Sequence, residues 1–401
     1  MYLIKLSFNN LKYNFRRTIS LIALITMSAA TIILYQGYVE YCREGMASGY
    51  INNSGHIQIA DKNYWETSDD SGCYINKKEL SELYAVLNQN PKIKFYDSVL
   101  EFGGLIGYNN NSSVFWGKGY DHPEKYYGAF KGLPVFEGDE GILLGKNLAQ
   151  KLNINFDIED EYVSVMCNSP ESGIALGSLE LQGLVDTGIP QNDSGLLIST
   201  RQTALNVLDM EEAASYIQVY FQNNEDINLK DEIQKKMNEI SSSLVIKDWQ
   251  ELNPSYKQVN DMNEAQFFII SLLIGVLIII SIMQTLVTAF LERMGEFGTL
   301  ESIGMKKKEI ITMLFLEMLY MFIISSLLAI IITLSINKVT EVFNLTMTPP
   351  GYDVSYPLFF LLIPKKMFLA FCFVLICCLT ASVFPIISIY KNSAIKLINR
   401  K

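Results

Sequence analysis

The sequence predicts an α+β membrane protein with four transmembrane helices and one large two-lobed α+β domain, outside the cytoplasm, between the first two helices. The first observation is four apolar runs, each close to the ~20 residues that a helix needs to cross a hydrocarbon core of ~30 Å. The second is a long polar segment, 40–265. Runs of this length are predicted to be helices because lipid offers no partner for an unpaired backbone. The runs are 18–39, 266–290, 310–336 and 367–390.

The charge distribution is the third observation, and it predicts the orientation. Segment 40–265 holds 35 acidic and 17 basic residues, whereas the rest of the chain holds 7 acidic and 15 basic residues. The positive-inside rule places the short basic flanks, and with them both termini, in the cytoplasm. The connection 337–366 is then extracytoplasmic, and its Lys338, Lys365 and Lys366 are a weaker contrary signal. The basic flanks are 1–17, 291–309 and 391–401.

The N-terminal segment 1–17 mixes apolar and basic residues. This pattern is typical of an amphipathic helix on the cytoplasmic leaflet, with a plain basic flank as the alternative. The run 18–39 resembles the core of a signal peptide, but it is longer than such a core and no clear cleavage site follows. We therefore expect a retained first helix.

Segment 40–265 alternates strand-like and helix-like patterns. Lys77–Asn88 has apolar residues at helical spacing. The strand-like segments Ser98–Tyr108 and Ser113–Tyr120 are joined by asparagines, which is typical of a hairpin. Residues 253–266 are predicted to continue as a helix into the second run. The base lobe is predicted at about 40–130 and 214–252, and the inserted lobe at about 131–213.

The sequence lacks the motifs of common catalytic sites. It has no G-x-x-x-x-G-K-[ST] phosphate-binding loop and no HExxH, CxxC or GxSxG pattern. Of its two histidines, His56 lies in a strand-like segment that is typical of a structural residue, and His122 precedes a proline in a turn. We therefore expect no catalytic, cofactor-binding or metal-binding residues, and no nucleic-acid partner.

Two features leave alternatives open. Glu317 lies inside an apolar run, where a charge costs roughly 3 kcal/mol or more. It is either a relay or substrate contact, or a residue near the cytoplasmic interface that is paired or protonated against a neighbouring helix. Its closeness to the basic cluster 306–308 favours the second alternative. Cys73 and Cys167 either form a disulfide or are two free thiols.

The loop between the second and third runs, Leu291–Glu309, carries a family pattern. It reads Glu-Arg-x-x-Glu-Phe-Gly-x-Leu-x-x-Ile-Gly. This resembles the signature of the FtsX/MacB superfamily of ABC-transporter permeases, in which a helix carrying residues like Phe315 and Glu317 follows. The order of one span, a large outer domain and three spans is also similar.

The outer domain resembles a MacB-type core domain, and within the superfamily it is most similar to the lipoprotein-releasing LolC/LolE branch. Ser54–Ile59 resembles the first strand of that branch, and Gly183–Asp193 resembles a strand and its following turn. Asp248–Pro254 resembles the segment that leads into the second span. The tail Ile389–Ile398 is similar to the closing segment of the superfamily, although several small and proline positions differ.

The resemblance implies a mechanism. Permeases of this kind pair as homodimers or heterodimers and bind a dimer of separate ABC ATPase subunits, so this chain would not itself be an enzyme. The loop would supply the coupling helix that contacts the ATPase. Glu292 and Glu296 in this loop are four residues apart and would share a helical face. The alternative is a solvated loop with local salt bridges. The coupling residues implied are Glu292, Arg293, Glu296, Gly298, Leu300 and Gly304.

In the lipoprotein branch, the substrate moves laterally from the outer leaflet to a site between the first and second spans. For any single candidate residue, ordinary helix packing or an aromatic belt is the alternative. The hairpin Met166–Ser178 corresponds to a hook that captures a periplasmic chaperone in one paralogue, but it has no aromatic tip. The candidates for lateral access are Tyr35, Tyr38, Met46, Phe267, Phe268 and Leu272.

The expected function is therefore that of a permease subunit in the bacterial inner membrane. With its ATPase, it would extract lipoproteins or a similarly amphiphilic cargo from the outer leaflet. The alternative within the family is a mechanotransmission permease that regulates a periplasmic partner or exports another substrate. A receptor or membrane enzyme is disfavoured because catalytic motifs are missing.

Overall fold

The computed structural model describes residues 2–13, 15–65, 73–123, 141–154, 162–170, 172–222, 228–292, 294–348, 353 and 355–391. The chain divides into two compact units. The helical unit comprises Met1–Glu44, Gln258–Thr346 and Pro357–Lys401. The sheet unit comprises Gly45–Lys257 and Met347–Tyr356.

In the sheet unit, helices and strands alternate along the chain. The helical unit consists mostly of helices. A short 3-10 turn, Lys62–Trp65, follows the first strand. The helices are α1 (Tyr2–Tyr13), α2 (Phe15–Ser54), α3 (Lys77–Asn88), α4 (Lys146–Leu152), α5 (Pro190–Asp193), α6 (Arg201–Leu208), α7 (Asn228–Ile240), α8 (Trp249–Leu252), α9 (Pro254–Glu292), α10 (Met294–Ser302), α11 (Lys307–Val342) and α12 (Pro364–Lys391). The strands are β1 (Ile57–Asp61), β2 (Ile75–Asn76), β3 (Ile93–Tyr108), β4 (Asn111–Tyr120), β5 (Gly141–Gly145), β6 (Tyr162–Ser169), β7 (Gly173–Val185), β8 (Leu196–Thr200), β9 (Ala213–Ala214), β10 (Tyr216–Phe221), β11 (Leu244–Asp248), β12 (Thr346–Met347) and β13 (Tyr356–Pro357).

Among the described residues, four helices are long and apolar enough to cross a membrane: α2, α9, α11 and α12. Each of them contains one of the four predicted runs. α2 and α9 have 40 and 39 residues, about twice what a bilayer requires. The start of α9 at Pro254 confirms that the segment before the second run continues into it as one helix. Both long helices contribute residues to both units.

Small and polar residues pack the helices of the helical unit together. Ala29, Ala329 and Ala370 are buried in its apolar core. The Ser325 hydroxyl of α11 donates to the carbonyl of Ile22 on α2 at 3.2 Å. Close approach through small side chains and single hydroxyl bonds is how helices associate in lipid, where apolar side chains gain nothing by leaving the solvent.

The sheet unit is built on nine strands in the order β11-β1-β10-β3-β4-β8-β5-β7-β6. β6 also pairs with β3, from Gly104 opposite Cys167 to Gly107 opposite Ser164. This additional pairing closes six strands, β3, β4, β8, β5, β7 and β6, into a ring. A two-residue turn joins β3 to β4, with Asn109 at φ 52°. The predicted asparagine hairpin is therefore present.

Three apolar clusters of the described residues lie along this one sheet, and two of them include helices. The first packs α3 and α7 against β1, β10 and β11, with Leu83, Ile217 and Met237 at its centre. The second fills the inner side of the ring, where α4 and α6 contribute Leu148 and Ala204. The division into a base lobe and an inserted lobe stays a prediction, since Leu100 and Phe115 of the predicted base lobe lie in the second core. The 16-residue strand β3 runs through both cores, so the two cores share a continuous sheet.

Candidate coupling site

The loop between α9 and α11 contains a short helix, α10, that ends at a specific glycine. Gly304 has φ +105°, a left-handed conformation that costs most residues energy. Its amide donates to the Glu301 carbonyl at 3.0 Å, and the Met305 amide donates to the Leu300 carbonyl at 3.1 Å. These two bonds form a Schellman motif, which satisfies the last carbonyls of α10 and turns the chain toward α11.

An apolar cluster fixes α10 on the start of α11. Leu300 and Met305 pack against the buried side chains of Ile310 and Met313. An apolar contact between residues at the positions of Leu300 and Met305 commonly accompanies a Schellman motif. Leu6 of α1 packs against the same cluster. The cluster therefore joins three elements: the loop helix, the third membrane helix and the N-terminal helix.

Several described residues of the loop are exposed. Ile303 is 84% exposed, although it is a large apolar residue. Lys306 and Glu309 form a cap at the start of α11, in which the Lys306 amide donates to Glu309 Oε2 at 2.8 Å. A Lys307–Glu301 ion pair spans 3.9 Å, a distance that contributes little at the surface.

The predicted coupling residues fall into three groups. Gly298 is buried, and Leu300 and Gly304 shape the end of α10. Glu292 is exposed at the end of α9. Arg293 and the side chain of Glu296 lie outside the described part of the structure. The shared face of Glu292 and Glu296 therefore stays a prediction.

α1 packs on α11 through its polar side. The buried Ser7 hydroxyl donates to the Met313 carbonyl at 3.1 Å. Asn10 Nδ2 donates to Glu317 Oε1 at 2.9 Å, and Glu317 is 7% exposed. Glu317 thus has a partner on a neighbouring helix, as the favoured alternative predicts. Ile4 and Phe8 are about half exposed on α1.

Sequence reasoning missed these contacts between α1 and α11. The signal was present, because Ser7 and Asn10 are three residues apart and so lie on one side of a helix that is otherwise apolar and basic. A polar stripe on such a helix either faces water or packs against a polar group on a neighbouring helix. Glu317, the one carboxylate deep in an apolar run, was the group that could have decided between them.

The residues predicted for lateral access are partly brought together. The rings of Tyr35 on α2 and Phe267 on α9 stack with their centroids 5.8 Å apart at an interplanar angle of 15°. Phe268 is 67% exposed and Leu272 is 53% exposed on α9. The remaining two candidates, Tyr38 and Met46, are half-buried on α2.

The other end of the helical unit is held by charges and by backbone bonds. The buried carboxylate of Glu40 on α2 accepts hydrogen bonds from Lys366 on α12 and from Arg43 one turn along α2. The Leu361 amide donates to the Gly37 carbonyl at 3.1 Å. A Cβ on Gly37 would lie 2.7 Å from the Leu361 carbonyl oxygen, so only glycine fits there.

Asn337 of α11 completes that end. Its Nδ2 donates to the Phe360 carbonyl at 2.7 Å, and its Oδ1 accepts from the Phe360 amide at 3.0 Å. Both hydrogen-bonding groups of one backbone residue are therefore satisfied by one buried side chain. The segment that leads into α12 is thus bonded to α11 at Asn337 and to α2 at Gly37.

The sheet unit holds an ion pair that is enclosed by tyrosines. Lys118 Nζ lies 3.1 Å from Glu101 Oε1, and Tyr64 and Tyr216 donate to the same carboxylate at 2.6 and 3.0 Å. Burial disfavours the charged carboxylate, but Lys118 and these hydroxyl donors outweigh it and hold the pKa of Glu101 below its usual range. Burial likewise opposes the charge on Lys118, and Glu101 raises its pKa above the usual range.

Two further groups of the sheet unit have structural roles. The His56 ring is buried, and its Nδ1 accepts from the Phe221 amide at 3.1 Å. This contact confirms the structural interpretation of His56. Cys73 and Cys167 are both free thiols, the second of the two alternatives. Burial raises the pKa of the Cys167 thiol to about 11.

The four apolar helices and the α+β unit define the class: a multi-pass membrane protein with a large polar domain. Residues 268–394 match the family model described as "FtsX-like permease C-terminal". The match runs from α9 to the end of the chain's last helix and includes the whole α10 loop. FtsX-like permeases are membrane components of ABC transporters, in which a separate subunit is the ATPase.

Two solved structures are weakly similar to about half of this chain. One is the periplasmic region of MacB from Actinobacillus actinomycetemcomitans, with a TM-score of 0.38 and 11% identity, over 52% of this chain and 95% of that chain. Another is the extracellular domain of the ABC-type transporter YknZ from Gram-positive bacteria, with a TM-score of 0.35 and 11% identity, over 48% of this chain and 99% of that chain. No curated protein matches this chain by sequence.

Proposed function

We propose that this chain is the transmembrane permease subunit of an ABC transporter that extracts lipoproteins, or a similarly amphiphilic cargo, from the outer leaflet of the bacterial inner membrane. The observation that carries the proposal is the α10 loop within the matched permease segment. α10 is fixed on α11 by an apolar cluster and leaves charged and apolar groups exposed. This arrangement suits a helix that an ATPase subunit grips.

In the proposed mechanism, nucleotide binding by the ATPase displaces α10. Leu300 and Met305 transmit the displacement to α11 and to α1, because all three elements share one apolar cluster. α2 and α9 are single helices with residues in both units, so they offer a continuous path from the helical unit to the sheet unit. The chain itself performs no ATP chemistry in this scheme.

The proposed orientation has the α10 loop and both termini in the cytoplasm. The basic flanks support it through the positive-inside rule. Lys366 was part of a contrary signal in the sequence. Because Lys366 and Arg43 both bond the Glu40 carboxylate, part of the positive charge at that end is neutralised locally. The contrary signal is therefore weaker than the count of lysines suggests.

The proposed cargo path uses the side of the unit formed by α2 and α9. Phe268 and Leu272 present apolar side chains there, next to the stacked Tyr35 and Phe267. An acyl chain can lie against such a surface without desolvating a polar group. We propose that acylated cargo reaches the permease along this side.

The decisive experiment reconstitutes the permease with its ATPase in proteoliposomes that carry a radiolabelled acylated lipoprotein. We expect ATP-dependent release of the lipoprotein, and none with a non-hydrolysable nucleotide. Normal ATPase assembly and turnover without release would contradict lipoprotein extraction. That outcome would favour the alternative, a mechanotransmission permease that regulates a partner or exports another substrate.

A charge reversal tests the coupling residues separately. We expect Glu296→Lys to weaken co-purification of the ATPase while the protein still inserts in the membrane. Glu341→Lys is the matched control, because Glu341 is an exposed acid at the opposite end of α11. Equal ATPase recovery with both variants would contradict the placement of the coupling helix.

A further inference from the structure

The exposed side chains of α1 follow a definite order around the helix. At about 100° per residue, an apolar pair is followed by a basic pair and then by a polar pair. These pairs are Ile4 and Phe8, Lys5 and Lys12, and Asn9 and Tyr13. A helix that lies at a membrane surface meets hydrocarbon, headgroups and water in this same order.

The side of α1 that faces the protein is polar where it meets α11. The buried Ser7 hydroxyl donates to the Met313 carbonyl at 3.1 Å, and Asn10 donates to Glu317 at 2.9 Å. The apolar pair, in contrast, is 49% and 46% exposed. A helix beside water would gain by turning its apolar residues toward the protein. The medium outside the apolar pair is therefore apolar.

The apolar pair adjoins the outward side of a membrane helix. The Phe8 ring meets the Tyr320 ring of α11 edge to face, with centroids 6.2 Å apart at an interplanar angle of 72°. Ile324, Leu327 and Ile331 follow Tyr320 on the same side of α11 and are 39%, 58% and 58% exposed. A helix of this length and composition turns such a side to lipid. The lipid-facing surface of α11 therefore continues onto Phe8.

The basic pair lies directly beside this apolar surface. Lys12 Nζ is 5.0 Å from the centroid of the Phe8 ring, and Arg16 at the start of α2 is also exposed. The sequence contains no aspartate or glutamate before Glu40. Glu317, a carboxylate that contacts α1, lies on the buried side of the helix and is 7% exposed. The outward side of α1 is therefore both apolar and positive.

An anionic phospholipid matches both parts of this surface. Its acyl chains cover the apolar pair, and its headgroup meets the basic pair. A soluble anion would leave the apolar pair in water, and a zwitterionic headgroup would bring a positive charge of its own. A protein partner would have to displace the lipid on the adjoining side of α11. Each basic residue near an anionic membrane surface strengthens binding by a factor of about five.

We propose that the outward side of α1, formed by Ile4, Lys5, Phe8 and Lys12, binds anionic phospholipids of the surrounding leaflet in preference to zwitterionic ones. The lipid contact goes beyond the proposed function, because it requires only that the chain spans a membrane. The bound lipid holds α1 on the bilayer, while two hydrogen bonds hold the other side of α1 on α11.

The test places a fluorescent reporter in this surface. Phe8→Trp keeps an aromatic ring beside Lys12, and the wild-type chain measures the background of the three native tryptophans, which all lie in the sheet unit. The full chain is reconstituted in phosphatidylcholine vesicles that contain an equal minor fraction of brominated phosphatidylglycerol or brominated phosphatidylcholine. Bromine quenches tryptophan only at short range. We expect phosphatidylglycerol to associate with the reporter roughly fivefold or more strongly than phosphatidylcholine.

Charge variants of the reporter chain test whether the lysines cause this preference. Lys5→Gln combined with Lys12→Gln should remove it, so that both brominated lipids quench equally. Lys235→Gln combined with Lys236→Gln is the matched control, because these two lysines are exposed on α7, and the preference should stay. High salt should weaken the preference of the reporter chain by screening. Both lipids are compared in the same variant, so a change in the reporter's own brightness cancels.

The same lipid contact reaches the α10 loop, and this consequence rests on the proposed function. Leu6 of α1 packs in the apolar cluster that holds Leu300 and Met305, so lipid that fixes α1 also fixes α10. We expect phosphatidylglycerol to raise the ATPase rate that the permease stimulates, and Lys5→Gln with Lys12→Gln to lose this gain. Equal rates in both lipids, with normal ATPase assembly, would overturn the effect on the loop and leave the lipid contact standing.

Three quenching results would overturn the lipid contact itself. Equal quenching by both lipids in the reporter chain would show that charge is not selected. A preference that survives the loss of both lysines would place the anionic lipid elsewhere. Quenching by neither lipid would show that protein covers this side of α1. If the ATPase fails to assemble in either lipid, the proposed function fails, and the quenching still decides the lipid contact.

Discussion

The two ends of the helical unit are built differently. At one end, where α12 begins, three helices (α2, α11 and α12) are joined. The contacts are the Glu40 ion pairs, the hydrogen bonds of Asn337 and a backbone hydrogen bond at Gly37. At the end that carries the α10 loop, the described contacts between elements include a small apolar cluster and hydrogen bonds from Ser7 and Asn10. The first end is fastened around one buried carboxylate with two cations, whereas the described contacts of the second include an apolar cluster and single hydrogen bonds.

This difference indicates which end can move. The Glu40 ion pairs are costly to open because the buried carboxylate would lose both of its cationic partners. An apolar cluster with single hydrogen bonds can rearrange at lower cost. The arrangement suits a device in which displacement begins at the α10 loop while the opposite end stays intact. Variants at each end can break or sharpen this comparison.

The largest effect is expected at Glu40, whose side chain is 5% exposed between two cations. Glu40→Gln removes the charge that Lys366 and Arg43 share, and breaking a buried pair in this way costs about 3 kcal/mol or more. Thermal unfolding of the detergent-purified protein should shift clearly downward. Lys365→Met, at the exposed neighbour of Lys366, is the control and should change little. Equal unfolding of Glu40→Gln and wild type would remove the basis of the comparison.

A smaller effect is expected at Asn10. Asn10→Ala removes the amide that donates to buried Glu317, a change that costs about 1–3 kcal/mol. Because α1 shares the apolar cluster with α10, we expect the variant also to reduce ATPase stimulation by the permease. Asn9→Ala is the matched control, since the neighbouring asparagine is exposed. If the two variants behave alike, α1 has no part in coupling.

A substitution at Gly304 tests the end of the helical unit that carries the α10 loop. Gly304→Ala places a side chain at φ +105° and should cost about 1–2 kcal/mol locally. Gly295 is the matched control, because it lies inside α10 and a Cβ there also meets nothing within 4 Å. Gly295→Ala should be neutral or slightly stabilising. We expect reduced ATPase co-purification for Gly304→Ala alone. A reduction with both variants would indicate that α10 tolerates no change, whatever the backbone angle.

Local patterns in the sequence were sufficient for most elements of the fold. The helix predicted at Lys77–Asn88 has those bounds, because its apolar stripe is regular and Asn76 and Glu79 cap it reciprocally. The four apolar runs were equally clear. The closure of β6 on β3 was not predictable, because which strands meet at a sheet edge depends on the whole domain.

The sequence predicted where the candidate site lies but not the contacts that hold it in place. The signature pattern located Gly304 and Leu300, and the structure adds why they matter: one ends α10 and the other packs it. Ser7 and Asn10 were missed because the polar side that they form on α1 does not by itself identify a partner more than 300 residues away. Lys366 was counted as a free positive charge because its pairing with Glu40 is visible only in three dimensions.

The smallest effect extends the comparison to the sheet unit. The Glu101 side chain is 37% exposed and that of Lys118 is 23% exposed, so solvent screens this pair more than it screens Glu40. We expect Glu101→Gln to cost less than about 1 kcal/mol at neutral pH. The pKa of Glu101 is lowered in the folded state, so its stabilisation is present above the unfolded value of about 4.3 and is lost as the pH falls below it.

Tryptophan fluorescence can measure the unfolding of the sheet unit alone, because all three tryptophans lie there. Trp65 also packs near the ion pair, with its ring centroid 5.7 Å from that of Tyr64. Unfolding of wild type and Glu101→Gln should differ at pH 7, and the difference should shrink as the pH falls through the lowered pKa of Glu101. Lys118 stays charged throughout that range, because its pKa is raised rather than lowered. A difference that does not shrink in acid would mean that the tyrosine hydrogen bonds, not the charge, stabilise this pair. The pair would then differ in kind from the ion pairs at Glu40.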